Sequence, residues 1–364
     1  MTKSQGKVAS SPGGRESWID LAKGAAILLV VLFHSEVLLA AHGLTGAGWA
    51  AATTALGALR MPTFFLVSGL FAQKSLTVQS SVFRARKVWP FLWVYALWSM
   101  AYILMSGGIG LVSRDRALLL DAAEWAAATL TLSSGLWYLV ALPVFFFVTR
   151  LLCHVPVRAQ VIGAGIVSFT FSCGLVHTGQ WGPDHMASNF VYFLIGCYFS
   201  GVIRSTVVRV GWMTAASLGL AWIGLFVLFY ATHWQDLGYA ILPLLAVPFA
   251  LASASLLARQ TWAVPLIWLG RNTLPVYIMH FAPVSLIVLA VRRTHLVTAG
   301  SGLAAALPVF VAMAAVGITL GIRWLLMRWA PWSFALPTGS AGRRQVVPDT
   351  RSDRPLTRPP ALDG

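Results

Sequence analysis

The chain has 364 residues, of which 58% are hydrophobic and only 10% are charged. Soluble domains carry about 25% charged residues on average, so this composition excludes an ordinary soluble domain and predicts a membrane protein of many spans. The formal net charge of +15 does not indicate a nucleic-acid partner, because the basic residues lie in short segments between apolar runs and form no contiguous basic patch.

In chain order, a polar, Gly- and Ser-rich stretch at residues 1–17 comes first, and we expect it to be a disordered cytoplasmic arm. Residues 18–336 then predict an all-α, polytopic integral membrane bundle of about ten transmembrane helices. A tail rich in Pro, Arg, Asp and Thr follows at 337–364 and is expected to be disordered and cytoplasmic. The ten apolar runs lie at residues 18–41, 50–73, 88–106, 136–152, 160–177, 187–203, 211–231, 238–258, 273–291 and 302–329.

Lysine and arginine residues alternate between the segments that connect these runs. With the amino terminus in the cytoplasm, only Arg114, Arg116, Arg292 and Arg293 fall on the opposite side. Because short cytoplasmic loops are enriched in Lys and Arg, this pattern predicts that both termini are cytoplasmic and that the long segment 107–135 lies outside.

The first run carries ionisable residues that are costly to place in a membrane. Lys23 and His34 are eleven helical steps apart, or three turns plus about 20°, which places them on one face and roughly 16 Å apart. A cation near the membrane edge and a proton carrier deep in the span suit a long, phosphate-bearing substrate. A neutral imidazole can take a proton from a hydroxyl group as that hydroxyl attacks an acyl carbonyl.

Each of these residues also has a structural interpretation, which stays open at this point. In the structural interpretation, His34 makes hydrogen bonds between helices and has no part in chemistry. Lys23 can extend to lipid phosphates, and Asp20, three residues earlier, can pair with it. Glu36 points away from the face of His34 and is expected at the outer rim of the bundle.

Five segments, taken in order, resemble the acyltransferase family 3 membrane proteins, and within them the fucose 4-O-acetylase-like branch. The first contains the family's basic residue, ten intervening residues and a histidine, here Lys23 and His34. The second is similar to the family element Met-Pro-x-Phe-Phe-x-x-Ser-Gly. The segments are residues 18–34, 60–69 (RMPTFFLVSG), 84–95 (which begins RARK), 136–139 (LWYL) and 270–280 (GRNTLPVYIMH).

The resemblance implies a multi-pass O-acyltransferase of the bacterial inner membrane. Such an enzyme transfers an acyl group, in the first instance acetyl, from cytoplasmic acyl-CoA to a hydroxyl of a cell-surface carbohydrate or its precursor. The acceptor would be an exopolysaccharide, a lipopolysaccharide or a glucan, and polysaccharide-assembly proteins are candidate partners. His34 is then the catalytic residue. No permanently bound cofactor or metal is expected, since the three cysteines, Cys153, Cys173 and Cys197, show no metal-ligand spacing.

The resemblance also implies a binding site for acyl-CoA on the cytoplasmic side. Lys23 stands where the family places the cation associated with acyl-CoA, and Arg84, Arg86 and Lys87 precede the third span on the same side. Cationic side chains suit phosphate oxygens, arginine through its bidentate fork. The same three residues form the most basic inner loop and can serve orientation alone. Arg60, expected near the inner end of the second helix, either adds a phosphate contact or extends to the membrane surface.

Four further residues are assigned supporting roles. Ser68 ends an element that allows close helix approach. Trp137 and Tyr138 form either a platform for a sugar or part of an interfacial aromatic belt, and the belt is favoured. His280, in the ninth run, either makes structural hydrogen bonds or supports the site. No carboxylate that would orient His34 is evident.

Two other functional classes fit parts of the sequence. A transporter of a small or lipid-linked solute explains ten spans and membrane-buried His and Lys, but not the basic inner cluster combined with the Lys–His spacing. A membrane scaffold in a polysaccharide-assembly complex, without chemistry of its own, is the third class. Binding of acyl-CoA separates the enzyme from both.

Overall fold

The computed structural model describes residues 16–76, 80–112, 122–294 and 302–334, and within these ranges the chain contains helices and no β-strand. Most of the predicted amino-terminal arm and the whole of the predicted tail lie outside the described residues. The α-helices are α1 Ser17–Ala40, α2 Ala47–Gly69, α3 Gln73–Leu76, α4 Ser80–Phe83, α5 Trp89–Val112, α6 Ala122–Leu130, α7 Tyr138–Leu151, α8 Val157–Ser172, α9 Trp181–Tyr198, α10 Ser200–Val207, α11 Trp212–Ala231, α12 Gln235–Leu257, α13 Val264–Arg271, α14 Thr273–Met279, α15 Phe281–Thr294 and α16 Gly302–Trp329. A π-helical turn, Arg84–Val88, leads into α5.

Six of these helices, α1, α2, α5, α11, α12 and α16, are long and apolar enough to cross a membrane. Two bent pairs of helices, α9 with α10 and α14 with α15, raise the number to eight if each pair is one span. The shorter apolar helices α7 and α8 fill the remaining two predicted runs. An all-α membrane bundle of about ten helices is therefore confirmed.

Helix α1 lies at the centre of the bundle, where it packs against α2, α12, α13, α14, α15 and α16. Its apolar side chains point to several neighbours at once, and Ile27, Val31 and Leu39 are fully buried. A helix that is apolar around most of its circumference is buried inside its domain. This central position brings the ionisable residues of α1 into contact with residues from distant parts of the sequence.

The crossing of α1 and α13 unites the first and the last of the five family-like segments. Gly24 and Gly270 let the two backbones approach so closely that a Cβ on Gly270 would overlap the carbonyl oxygen of Asp20. The guanidinium Nε of Arg271 donates a hydrogen bond of 3.1 Å to the buried carboxylate of Asp20. Lys23 lies 4.0 Å from the other carboxylate oxygen, as its spacing from Asp20 predicts.

The two ends of α1 serve to name the two ends of the bundle. We call the end that contains Ser17 the proximal end and the end that contains Ala40, where α1 finishes, the distal end. Helix α2 runs antiparallel to α1, because Thr53 contacts Glu36 and Arg60 contacts Phe33.

Candidate active site

A cavity of about 480 Å³ occupies the distal half of the bundle. Its rim is formed where α8 and α11 end and where α9 and α12 begin, by residues that include Trp181, Tyr230 and Tyr239, all substantially exposed. Its floor is formed by buried residues, among them Val30 on α1 and Tyr277 on α14. The volume lies within the range of sites for small molecules, roughly 300–1,000 Å³.

His34 projects from α1 into this cavity and is half-buried there. Its ring lies 5.2 Å from the ring of Phe33 and 5.9 Å from that of Phe281, measured between centroids. The ring of His280 is 5.0 Å away. Apolar rings thus shield part of the imidazole while another part faces the cavity, which is the setting a proton-transferring group needs.

His280 lies at the break between α14 and α15, which are bent by 50° relative to each other. Pro283, three residues later, has no N–H to continue the ladder of hydrogen bonds, and this explains the break. The Nδ1 atom of His280 lies 3.0 Å from the carbonyl oxygen of Val276 and 2.8 Å from that of Tyr277. Because both partners are acceptors, Nδ1 must carry the proton and Nε2 must be the acceptor.

The Nε2 atom of His280 is buried and has no hydrogen-bond partner among the described residues. Buried polar atoms of this kind are rare and call for an explanation. The ring of His34 is its neighbour, with the two ring centroids 5.0 Å apart. The ring of His280 thus lies next to that of His34 with an unused acceptor nitrogen.

Two hydrogen bonds, one between hydroxyl groups and one from a backbone N–H to a hydroxyl, connect three helices beside this histidine pair. Tyr138 and Ser68 lie 2.7 Å apart through their side-chain oxygens. The backbone N–H of Tyr138 donates to the hydroxyl of Tyr277, at 3.1 Å. Ser68 thus helps to fasten α2 to α7, and Tyr277 fastens α7 to α14.

The aromatic-belt interpretation of Trp137 and Tyr138 is wrong, because both side chains are buried inside the bundle, with exposed fractions of 4% and 7%. Trp137 lines the cavity instead. Its ring makes edge contacts with Trp181 at 5.6 Å and with His185 at 5.9 Å, while Trp181 and His185 are only 4.1 Å apart. Sequence reasoning missed Trp181 and His185, although an aromatic residue and a histidine four positions apart fall on one helix face.

Arg60 does not lie near the proximal end of α2, as the sequence had suggested, but near the middle of the helix and against the same cavity as His34. Its guanidinium carbon stands 3.9 Å above the ring centroid of Phe33. The expected position of Glu36 is also wrong: its side chain is buried and accepts a hydrogen bond of 3.3 Å from Thr53.

The remaining predicted residues lie at the proximal end. Lys23 is partly exposed beside Asp20, whose carboxylate also holds Arg271. Arg84 is exposed on the π-helical turn, and the ammonium group of Lys87 lies 5.3 Å from the ring centroid of Phe146. The side chain of Arg86 lies outside the described residues.

The proximal cations and the distal cavity are separated along α1. The cavity reaches Val30, seven residues from Lys23, or about 10 Å of helix. In the part of the chain that the structure describes, no three His, Cys, Asp or Glu side chains come together as a metal site.

Apolar helices of spanning length surround a cavity with aromatic walls and His34 at its floor, and this architecture is that of a polytopic membrane protein. A protein-family model described as an acyltransferase domain matches residues 16–328 of the chain. The chain therefore belongs to acyltransferase family 3. This is the family that the five segments resemble.

One relative is the inner membrane protein YcfT of Escherichia coli (strain K12), with 27% identity over 215 residues. The match covers 54% of this chain and 59% of that protein. No solved structure matches the chain.

Proposed function

We propose that this protein transfers an acyl group, in the first instance acetyl, from cytoplasmic acyl-CoA to a hydroxyl group of a carbohydrate at the outer face of the bacterial inner membrane. The observation that carries the proposal is the position of His34, at the floor of a cavity whose rim is at the distal end. The cations suited to CoA phosphates lie at the opposite end, so donor and acceptor approach the histidine from two sides. Membrane preparations with and without the protein, compared by mass spectrometry of surface glycans, test this function.

The chemistry follows from the histidine pair. One nitrogen of His34 takes the proton of the acceptor hydroxyl as its oxygen bonds to the thioester carbonyl carbon. The tetrahedral intermediate then collapses, the carbon–sulfur bond breaks, and the sulfur takes the proton back from His34 as CoA leaves. During the reaction, the other nitrogen of His34 would turn to donate to Nε2 of His280, which has no partner in the described structure and whose ring lies 5.0 Å away. That bond would hold the imidazole in the productive orientation.

The position of His280 leads to a prediction about this orientation. His280→Leu, which is apolar and of similar size, should lower kcat for acyl transfer by about 10- to 100-fold while leaving acyl-CoA affinity unchanged, since His280 touches no donor. His177→Gln, at an exposed position, is the matched control. Radiolabelled acetyl transfer and equilibrium binding measure the two effects, and full activity in His280→Leu would remove His280 from the mechanism.

The proximal cations should bind the phosphates of CoA. Lys23→Ala should weaken acyl-CoA binding by about 10- to 150-fold, because a charge-assisted contact to phosphate contributes ~1.5–3 kcal/mol. The variant should fold, since Arg271 still neutralises the buried Asp20. Arg209→Ala, an exposed cation at the same end, provides the comparison. Unchanged affinity in Lys23→Ala, with the control also unchanged, would favour an interaction of Lys23 with lipid phosphates instead.

The orientation of the bundle gives a further expectation. In a background lacking Cys153, Cys173 and Cys197, a cysteine introduced at Ser113 should react with a membrane-impermeant maleimide added outside, and one at Ser80 should not. The alternation of Lys and Arg between the two sides is the reason. The reverse labelling pattern would place the distal cavity in the cytoplasm and overturn the proposed sidedness.

A transporter is the competing class, and the broken pair α14–α15 is the observation that favours it, because discontinuous helices form the substrate sites of many transporters. Acyl-CoA binding by the purified protein separates the two classes. A transporter of a small solute has no reason to bind acyl-CoA at micromolar concentrations.

A further inference from the structure

Arg60 carries a positive charge into the distal cavity. Its Nη1 atom is buried and has no hydrogen-bond partner within the described ranges. The ring of Phe33, 3.9 Å below the guanidinium carbon, covers one face of the group. A cation–π contact returns ~0.5–2 kcal/mol, whereas taking a charge out of water costs several kcal/mol.

Among the described residues, the nearest carboxylates form no ion pair with Arg60, although that of Glu36 is close enough to act on its charge. Glu36 accepts its hydrogen bond from Thr53, and Asp184 accepts two from Thr178, at 2.8 and 2.7 Å. Neither carboxylate lies within ion-pair distance of Arg60 in the described structure. Asp184 also sits in the first turn of α9, at the rim, while Arg60 lies deeper on α2.

The rest of the lining has the character of a carbohydrate site. Trp137, Trp181 and Tyr239 offer ring faces and edges, and Asn189 and Gln235 offer amide groups for hydroxyls. A guanidinium fork matches the two oxygens of a carboxylate or a phosphate. One anionic group on a sugar would therefore satisfy the buried Nη1 while a neighbouring hydroxyl faces His34.

We propose that the acceptor is an acidic carbohydrate, and that Arg60 selects it by binding its carboxylate or phosphate group in the distal cavity. This inference rests on the proposed function, which makes the occupant of the cavity a carbohydrate. It also reassigns Arg60 from the donor to the acceptor, because Arg60 shares the cavity of His34 and not the proximal end where Lys23 lies.

Binding of small glycosides tests the proposal without acyl transfer. The purified full-length protein in detergent is titrated with methyl glucuronide, glucose 6-phosphate and methyl glucoside, and quenching of tryptophan fluorescence reports occupancy of the cavity. Wild type should bind at least one acidic probe about tenfold or more tightly than the neutral one, and the two acidic arms separate a carboxylate from a phosphate ligand. His34→Ala should keep this preference.

Variants of Arg60 then assign the preference to the guanidinium. Arg60→Gln should abolish the preference for acidic glycosides. Arg60→Lys should keep part of this preference, because the charge remains without the guanidinium fork. The control variant Arg293→Gln changes an exposed arginine at the same end and should leave the preference unchanged. Equal binding of acidic and neutral probes by wild type would overturn the proposal, and so would an unchanged preference in Arg60→Gln. Weaker acetyl-CoA binding by Arg60→Gln, with the sugar preference intact, would return Arg60 to the donor site.

Failure of this inference and failure of the proposed function have different signatures. If binding shows an Arg60-dependent preference for acidic sugars but no carbohydrate is acetylated, the anion site stands and the proposed enzyme function is wrong. If neutral and acidic sugars are acetylated equally well, the proposed enzyme function stands and the proposed selection by Arg60 is wrong.

Discussion

Replacing His34 by alanine should abolish O-acylation in membranes while the protein still folds and inserts. A sugar hydroxyl is a weak nucleophile at neutral pH, and removal of its proton in the transition state contributes typically ~10²–10⁴-fold. His34 is half-buried at the cavity floor, and its ring contacts among the described residues are with Phe33, His280 and Phe281, so its loss leaves a small gap and no unpaired charge. Quantification of acetyl esters on surface glycans, at matched protein levels, measures the effect.

The matched control lies two residues further along α1. Glu36→Gln should retain most of the activity, because an amide oxygen can still accept the hydrogen bond from Thr53. Wild-type acylation by His34→Ala would show that His34 is not the base. His185, beside Trp181 at the rim, would then be the histidine to test next.

A second large effect is expected at the crossing of α2 and α9. Gly69 and Gly196 face each other there, and a Cβ on Gly196 would overlap the carbonyl oxygen of Leu66. Gly196→Val should force the helices apart and destabilise the protein by about 1–3 kcal/mol or more. Thermal unfolding in detergent, followed by size-exclusion chromatography, should show a loss of folded protein at a lower temperature.

Gly163→Val is the comparison for this prediction, because a Cβ on Gly163 meets no atom within 4 Å. It should unfold at nearly the wild-type temperature. Equal stability of the two variants would show that the close approach of α2 and α9 does not contribute to the fold.

The helices could be predicted from the sequence because each membrane span is encoded by its own run of apolar residues. A run of about 20 apolar residues predicts a membrane helix whatever its neighbours are, and the predicted runs 18–41 and 302–329 nearly coincide with α1 and α16. The pairing of Lys23 with Asp20 was also accessible, since it depends only on helix geometry over three residues. The family-like segments added what local patterns cannot, namely which of the membrane histidines to consider first.

The site itself depends on contacts between helices that hydropathy does not encode. His34 and His280 are far apart in the chain and meet because α1 packs against both α14 and α15. The predicted second run, 50–73, already puts residue 60 near mid-span, so the depth of Arg60 was misjudged because the arginine was taken for a cation of the donor site, not because of the limits of the helix. Trp137 looked like an interfacial residue because it lies at the very start of the predicted run 136–152, and only the packing around α7 shows that it is buried.

The rotation of a helix about its own axis was the second unknown. Glu36 was placed at the rim because it points away from His34, but α2 covers that side of α1 and buries the carboxylate. Trp181 and His185 escaped notice for the related reason that the start of α9, and hence the face it turns to the cavity, was predicted six residues too late.

Vesicles that contain the purified protein test the central claim most directly. Radiolabelled acetyl-CoA is supplied at the proximal end, and a mixture of neutral and acidic methyl glycosides is supplied at the distal end. The proposal predicts that wild type forms labelled acetyl esters on carbohydrate and that His34→Ala forms none while still binding acetyl-CoA. Absence of labelled ester with wild type, together with passage of a glycoside across the membrane, would contradict the acyltransferase proposal and identify a transporter.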